Sequence, residues 1–463
     1  MRTPLGPGGR ARAPVVILGG GLTGLSAAFH LGDVGSVVVE REAEPGGLCR
    51  SFREDGFTFD CTGHLLHLRD ARYQALVESL LPGRMARHER RALIHSHGVE
   101  TDYPFQANLR GLPVPVVKEC VAGFVEALLR RERAGDPDPA RATFREWVEA
   151  VFGRGIAAHF MLPYNAKLWR TDLDEIECGW VSWSIPRPTL SEVLEGALGA
   201  TVRGLGYNPT FLYPAAGGIR VLPDAFARRL EQAGAAELRT GCEVAAIDAR
   251  ARTVRLASGG TLPYERLIST LPLDALLGAC SGLPETIEPA GRALRAVRVL
   301  NICLGIDRPE VSRAHWIYFP EPGTSFYRIG FPSNLAPGMA PRGCSSVWAE
   351  RSLRRDEPFD PEAVVQETID DLQRAGILRA SDRVVHAKVG VLDPAYVVYD
   401  RHRAAHLPAI LSTLRAHGID SVGRFGAWEY ASMEGAMRAG AEAADRARAA
   451  LGLLAPEARR KTA

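Results

Sequence analysis

The sequence predicts an α/β fold: a Rossmann-like domain interrupted by a helical lobe and accompanied by an antiparallel sheet. Three observations predict it. Near the start, "VVIL" enters the glycine-rich "GGGLTG", a segment of helical spacing and then a second apolar run, "SVVVE". From about Pro113 to Leu198 the pattern is helical. Further on, "VRVLNICLGI" and "HWIYFP" read as strands of a separate sheet. Apolar β-branched runs of four to eight residues mark buried strands, and a period near 3.6 marks helices.

The chain's 463 residues suit two or three structural units. Hydrophobic residues at 46% and charged residues at 24% describe an ordinary globular composition. A net charge of +2 argues against a dedicated nucleic-acid surface. No apolar stretch is long enough to cross a bilayer, and "MRTPLGPGGRARAP" lacks a signal-peptide core. The eight cysteines form no C-x-x-C pair, which suits a reducing cytoplasm and signals neither zinc nor a disulfide framework.

The first unit carries the most information. Gly19, Gly21 and Gly24 form G-x-G-x-x-G between a strand and a helix. In that arrangement Gly19 permits the tight turn, Gly21 admits a pyrophosphate, and Gly24 lets the helix approach the strand. The helix N-terminus offers N–H groups to the phosphates. Glu40 ends the second strand, where an acid accepts hydrogen bonds from ribose hydroxyls. The cofactor is expected to be FAD. A second glycine pair, Gly46 and Gly47, follows Glu40 in an E-x5-G-G pattern that a plain NAD unit does not need. This pattern resembles FAD enzymes of the amine oxidase and UDP-galactopyranose mutase superfamily. Arg41 and Leu48, beside these residues, are placed with the cofactor.

"GFTFDCTGHLLHLRD" follows, with "FTFD" reading as a strand. Gly63 lets backbone pass close to a planar ring. His64 and His67 stand three apart, a spacing open to metal binding, acid–base chemistry or packing; no other zinc ligands lie nearby, and no metal is expected. "TDYPFQANLRGLPVPV" crosses into the helical lobe. "CEVAAIDARARTVRLASGGTLPYERLISTLP" reads as strands with a hairpin at "SGG". "FDPEAVVQETIDDLQRAGIL" is a helix, and the end runs from a strand through "GRFG" into a long amphipathic helix. The expected domains are a discontinuous FAD-binding domain (14–104, 206–292 and 386–455), a helical lobe (105–205), a substrate-side sheet with a helix (293–385), and tails at 1–13 and 456–463.

The blocks "GGLCRS", "GHLLHLRD", "YPFQANL", "HFMLPYNAKLW", "NPTFLYPAAGG", "HWIYFPE", "FYRIGFPSN" and "GRFGAWEY" together resemble the UDP-galactopyranose mutase family, nearer its longer eukaryotic-type members. That resemblance implies an FAD domain of the glutathione reductase 2 type. It implies a sugar-nucleotide mutase that interconverts pyranose and furanose forms through an adduct between the sugar and N5 of reduced flavin, with no net redox. NAD(P)H or another reductant would act transiently; with no second G-x-G-x-x-G, it would visit the substrate pocket.

Carried over residue by residue, the resemblance puts Gly63 and His64 beside the flavin. Gln106, Asn165 and Trp169 line the uridine and sugar side. Asn208, Tyr318, Tyr327 and Arg328 face the diphosphate, and Tyr396 and Tyr430 complete the pocket. Gly423 and Arg424 hold the FAD pyrophosphate, with Val244 and Met433 as further cofactor contacts. His64 and Arg328 are the catalytic candidates. The expected partner is a small nucleotide sugar.

Two departures qualify this picture. Ser184 stands where the family has a second diphosphate-binding arginine, with Arg187 three residues later. "ASMEGAM" after "WEY" looks more like the amine oxidases and protoporphyrinogen oxidases, so an FAD-dependent oxidoreductase is the alternative.

Overall fold

The computed structural model describes residues 14–139, 141–180, 185–206 and 209–453. At its centre is a five-stranded sheet in the order Ile419–Ser421, Arg266–Ser269, Val15–Leu18, Ser36–Val39, Ala236–Arg239, with every pair parallel. Val15 to Leu18 are 0–1% exposed. A parallel strand covered on both faces has no polar side, which is why the run is apolar throughout.

The helix Leu22–Leu31 packs on this sheet and against the closing helix Met433–Ala450. Small residues set both distances. A Cβ on Gly24 would lie 2.0 Å from the Gly19 carbonyl oxygen, and one on Gly440 would lie 2.3 Å from that of Thr23. The long helix begins at Met433, capped by the Ser432 hydroxyl. "GRFG" forms a separate short turn of helix, Gly423–Gly426, which leads through residues 427–432 into the long helix.

A second sheet has seven strands, in the order Val384–Val397, Ala296–Ile306, Ser345–Arg354, Arg328–Gly330, Trp316–Tyr318, Ala92–Ser96, Val99–Asp102. It is antiparallel except where Trp316–Tyr318 runs parallel to Ala92–Ser96. The strands within 92–102 and 384–397 thus extend it beyond the 293–385 range read from the sequence. Pairing between distant segments, not local pattern, assigns them there. The "SGG" hairpin forms as read, joining Thr253–Leu256 to Thr261–Pro263 in a four-stranded sheet.

The helical lobe is built on Val114–Ala134 and Phe144–Ile156. They cross where glycines remove side chains: a Cβ on Gly155 would lie 2.2 Å from the Glu119 carbonyl oxygen. A π-helical turn, Ala157–Met161, then leads into Leu162–Trp169. Such a turn inserts one residue and re-aims the helix beyond it. Here it sets the direction of Tyr164, Asn165 and Trp169.

Candidate active site

The sheet's C-terminal edge is shaped for a dinucleotide. Gly19 takes φ +96°, and the first helix has no side-chain cap at Gly21, which leaves its first-turn N–H groups available to phosphate oxygens. The Glu40 carboxylate accepts from the Gly20 N–H at 2.7 Å and the Glu42 N–H at 2.9 Å, so it is fixed beside the glycine turn. Gly46 bridges to Gly21, and a Cβ on Gly47 would lie 3.0 Å from the Gly21 Cα. The second glycine pair therefore closes over the first. Gly423 takes φ +79°, and a Cβ there would lie 2.6 Å from the Thr23 hydroxyl oxygen, which brings that turn to the same helix start. These residues fit the diphosphate of FAD. Leu48 is partly buried beside Gly47, whereas the Arg41 side chain is 70% exposed and pairs with Glu42 at 3.5 Å. Val244 opens a strand of the four-stranded sheet, and Met433 opens the closing helix.

"GHLLHLRD" runs from the seven-stranded sheet to the closing helix. A Cβ on Gly63 would lie 2.9 Å from the ring of Trp348 in the seven-stranded sheet, so the glycine is required by a tryptophan as well as by any ring beside it. His64 Nδ1 lies 3.3 Å from the Thr62 carbonyl oxygen and 3.5 Å from the Thr62 hydroxyl. Burial pushes its pKa down to about 4, aided by the charges of Arg424 and Arg328. His64 is therefore neutral at ordinary pH, with one ring nitrogen free to accept a hydrogen bond. His67 faces the other way, its Nδ1 3.2 Å from the Thr210 carbonyl oxygen. The motif's end is tied down by Glu434, which accepts from the Arg69 N–H at 2.5 Å and the Asp70 N–H at 3.1 Å. Among the described residues no group of histidine, cysteine and carboxylate side chains is arranged to hold a metal.

Aromatic rings line the space facing His64's side of the molecule. Tyr103 and Tyr318 lie 5.4 Å apart, Tyr318 and Tyr164 5.4 Å, and Tyr164 and Tyr327 6.0 Å between centroids. On the opposite flank Trp169 meets Tyr396 at 5.9 Å, and Tyr396 stacks on Tyr430 at 6.3 Å. Burial pushes the phenols of Tyr164, Tyr327 and Tyr396 up, so each keeps its proton. The Tyr327 hydroxyl is buried with no hydrogen-bond partner among the described residues. Asn165 and Trp169 are bonded to each other: Trp169 Nε1 donates to Asn165 Oδ1 at 3.1 Å, and Asn165 Nδ2 donates to the Met161 carbonyl oxygen. Gln106 Nε2 donates to the Pro186 carbonyl oxygen at 2.7 Å, leaving Oε1 buried without a donor among the described residues.

Two guanidinium groups enter this space differently. Arg328 is forked onto Glu350, with Nε and Nη2 donating at 2.7–3.0 Å to a carboxylate that is 0% exposed. Only Nη1 is left for a ligand. Arg424 donates to the carbonyl oxygens of Ala395 and Ala431 and lies over the rings of Tyr396 and Tyr430 at 5.0 and 4.7 Å. Among the described residues it faces no carboxylate. Arg187 is engaged elsewhere, with Asp136 at 3.0 Å and the Trp147 ring at 5.3 Å. Asn208 and Ser184 lie outside the described residues.

Sequence reasoning missed Glu350, Trp348 and Tyr103. Tyr103 stood in the quoted "YPFQANL" block and was readable as an aromatic beside Gln106. Nothing local distinguished the other two; they matter through strand pairing, Arg328 opposite Glu350.

A parallel five-stranded sheet with an uncapped glycine turn, together with a second sheet and a cluster of tyrosine and tryptophan rings, fits a flavin-binding enzyme fold. The family model described as flavin containing amine oxidoreductase matches residues 22–448. The chain belongs to that family, which implies FAD as cofactor. Among solved structures, a reduced UDP-galactopyranose mutase is 28% identical with a TM-score of 0.88, over 96% of this chain and 95% of that one. A putative protoporphyrinogen oxidase from Exiguobacterium sp. 255-15 is 16% identical with a TM-score of 0.71, over 96% and 100%. Wild-type putrescine oxidase bound to putrescine is 15% identical with a TM-score of 0.65, over 95% and 99%; these last two share the fold. One curated relative, an inactive all-trans-retinol 13,14-reductase of Danio rerio, is 45% identical over 49 residues, 10% of this chain and 8% of its own length. The eight cysteines are free, and among the described residues no helix is long and apolar enough to cross a membrane.

Proposed function

We propose that this protein is a flavin-dependent mutase that interconverts pyranose and furanose forms of a nucleotide-linked hexose. The observation that carries the reading is the meeting of Arg328, Arg424 and a set of protonated tyrosines beside a neutral histidine at the flavin-side loop. A diphosphate needs guanidinium and hydroxyl donors, and a sugar hydroxyl needs an acceptor such as the unprotonated ring nitrogen of neutral His64. The likeness to a UDP-galactopyranose mutase over nearly the whole chain supports the same reading.

FAD, when bound and reduced, supplies an electron-rich nitrogen toward the anomeric carbon. The chain's own residues do the rest. Arg328, held rigid by Glu350, presents Nη1 to one phosphate. Arg424, which the resemblance placed with the FAD pyrophosphate, lies instead over Tyr396 and Tyr430 without a carboxylate partner among the described residues. It supplies the second cation that Arg187 does not provide. Tyr318, Tyr327, Tyr396 and Tyr430 donate hydroxyls and exclude water, which holds the released nucleoside diphosphate for recombination. Trp169 and Asn165 form the wall behind the sugar.

Reduced, FAD-loaded protein is expected to convert a UDP-hexopyranose to its furanose, resolved by anion-exchange chromatography. A second reading, an oxidoreductase, is favoured by the Arg328–Glu350 pair, which neutralises one of the two cations. Amine-dependent flavin bleaching with peroxide release, and no furanose from any nucleotide hexose, would overturn the mutase in its favour.

A further inference from the structure

At the opposite end of the parallel sheet lies a cleft of about 150 Å³, bounded by the starts of Arg266–Ser269 and Ile419–Ser421 and by the closing helix. Its floor is apolar, with Leu267, Ile419 and Ala447. Its rim is cationic: Arg266, Arg415 and Arg446 line it. Arg252 adjoins them, since a Cβ on Gly418 would lie 3.4 Å from Arg266 Nη1 and 3.9 Å from Arg252 Cζ.

A single carboxylate, Asp420, lines the cleft among these four guanidinium groups. Arg446 Nε donates to it at 2.6 Å, and Arg415 Nε lies 3.6 Å away. Both arginines use Nε, so among the described residues no carboxylate takes their Nη groups. Arg266 makes one long bond, 3.4 Å, to the Ala450 carbonyl oxygen. Arg252 has no side-chain hydrogen bond or ion pair among the described residues. Four guanidinium groups around one carboxylate leave an excess of positive charge above an apolar floor, which favours a bound anion, although the Arg415 and Arg446 side chains are 56% and 43% exposed and so partly screened by solvent.

We infer that this cleft is a binding site for a small phosphoryl anion, separate from the flavin and substrate sites. The planar fork of arginine matches phosphate oxygens in pairs. Size excludes a whole nucleotide: sites for drug-sized ligands span ~300–1,000 Å³. Position excludes the cofactor's own phosphates: the glycine turn follows Leu18, at the far end of Val15–Leu18, which pairs in parallel register with Arg266–Ser269, roughly 13 Å away at ~3.3 Å per residue.

The test is calorimetric titration of FAD-loaded, full-length protein with inorganic pyrophosphate at low salt, with excess UDP present to fill the tyrosine-lined site. Saturable binding is expected, weakening steeply as salt rises. The double variant Arg252→Gln/Arg266→Gln is expected to bind at least ten-fold more weakly. Neither arginine holds an ion pair among the described residues, so its melting temperature without anion should match the parent. Should it melt early, Arg252→Lys/Arg266→Lys keeps the charges, and affinity between parent and glutamine variant is then the supporting result. No saturable uptake, or uptake that neither double variant changes, overturns the inference. So does binding confined to phosphatidylserine vesicles and not displaced by pyrophosphate, which would assign the cluster to a lipid surface. Loss of mutase activity has no bearing on this result, so the two readings fail separately.

Discussion

Replacing Glu350 by glutamine isolates the one charge that holds Arg328. The carboxylate is 0% exposed and receives three contacts of 2.7–3.0 Å from the guanidinium. Glutamine keeps the shape and one acceptor but removes the charge, leaving a guanidinium without its counter-ion. Breaking a buried ion pair from one side costs about 3–5 kcal/mol. Arg328's side chain retains 21% exposure, so solvent takes part of the charge and the lower end, about 3 kcal/mol, applies. With 463 residues and an unfolding entropy of about 2.1 cal/mol/K per residue, a two-state transition would fall by about 3 °C. The assay is calorimetry on Glu350→Gln, Arg328→Met and the double variant Arg328→Met/Glu350→Leu. The double variant should recover most of the loss, because an apolar pair has no charge to strand. A loss under about 1 kcal/mol in Glu350→Gln would refute the reasoning, since the pair would then behave as a solvated one.

The same geometry yields other expected outcomes. His64→Ala should slow flavin reduction or turnover far more than His67→Ala, whose ring is turned to Thr210; equal effects in stopped-flow reduction would reverse that assignment. His64 has its pKa lowered from 6.5 to about 4, so the unfolded chain binds the extra proton first. Stability tied to His64 is complete above about pH 6.5 and is lost as pH falls toward 4, and acid unfolding of His64→Ala should lack that component. Gly24→Ala would set a Cβ 2.0 Å from the Gly19 carbonyl oxygen, a backbone collision. FAD retention after gel filtration should fall sharply, with a stability loss of about 1–3 kcal/mol. Glu40→Ala frees the N–H groups of Gly20 and Glu42, each bond to a charged acceptor being worth about 1.5–3 kcal/mol; FAD affinity by fluorescence titration should weaken at least ten-fold.

The cofactor end was legible because its requirements are local. Gly19, Gly24, Gly46 and Gly47 lie close together in sequence with the acid that they surround, and each answers to backbone geometry or close approach. Helices and the "SGG" hairpin were likewise set by periodicity and turn chemistry over a few residues. On the proposed substrate side the sequence reading named Arg328 with Tyr327, Tyr396 with Tyr430, and His64, but not their states. That His64 is neutral depends on burial and on Arg424 and Arg328 hundreds of residues away.

By itself, then, the sequence determined a parallel nucleotide-binding sheet, an uncapped helix start beside Glu40, and an inserted helical lobe, because short-range sterics and hydrogen bonding decide those. Only the tertiary structure decided which sheet takes the strands at 92–102, that Trp348 demands a glycine at 63, that Glu350 occupies most of Arg328, and that Arg187 is held by Asp136. Those depend on pairing between distant strands and on which charges share a buried space, and no spacing along the chain encodes either.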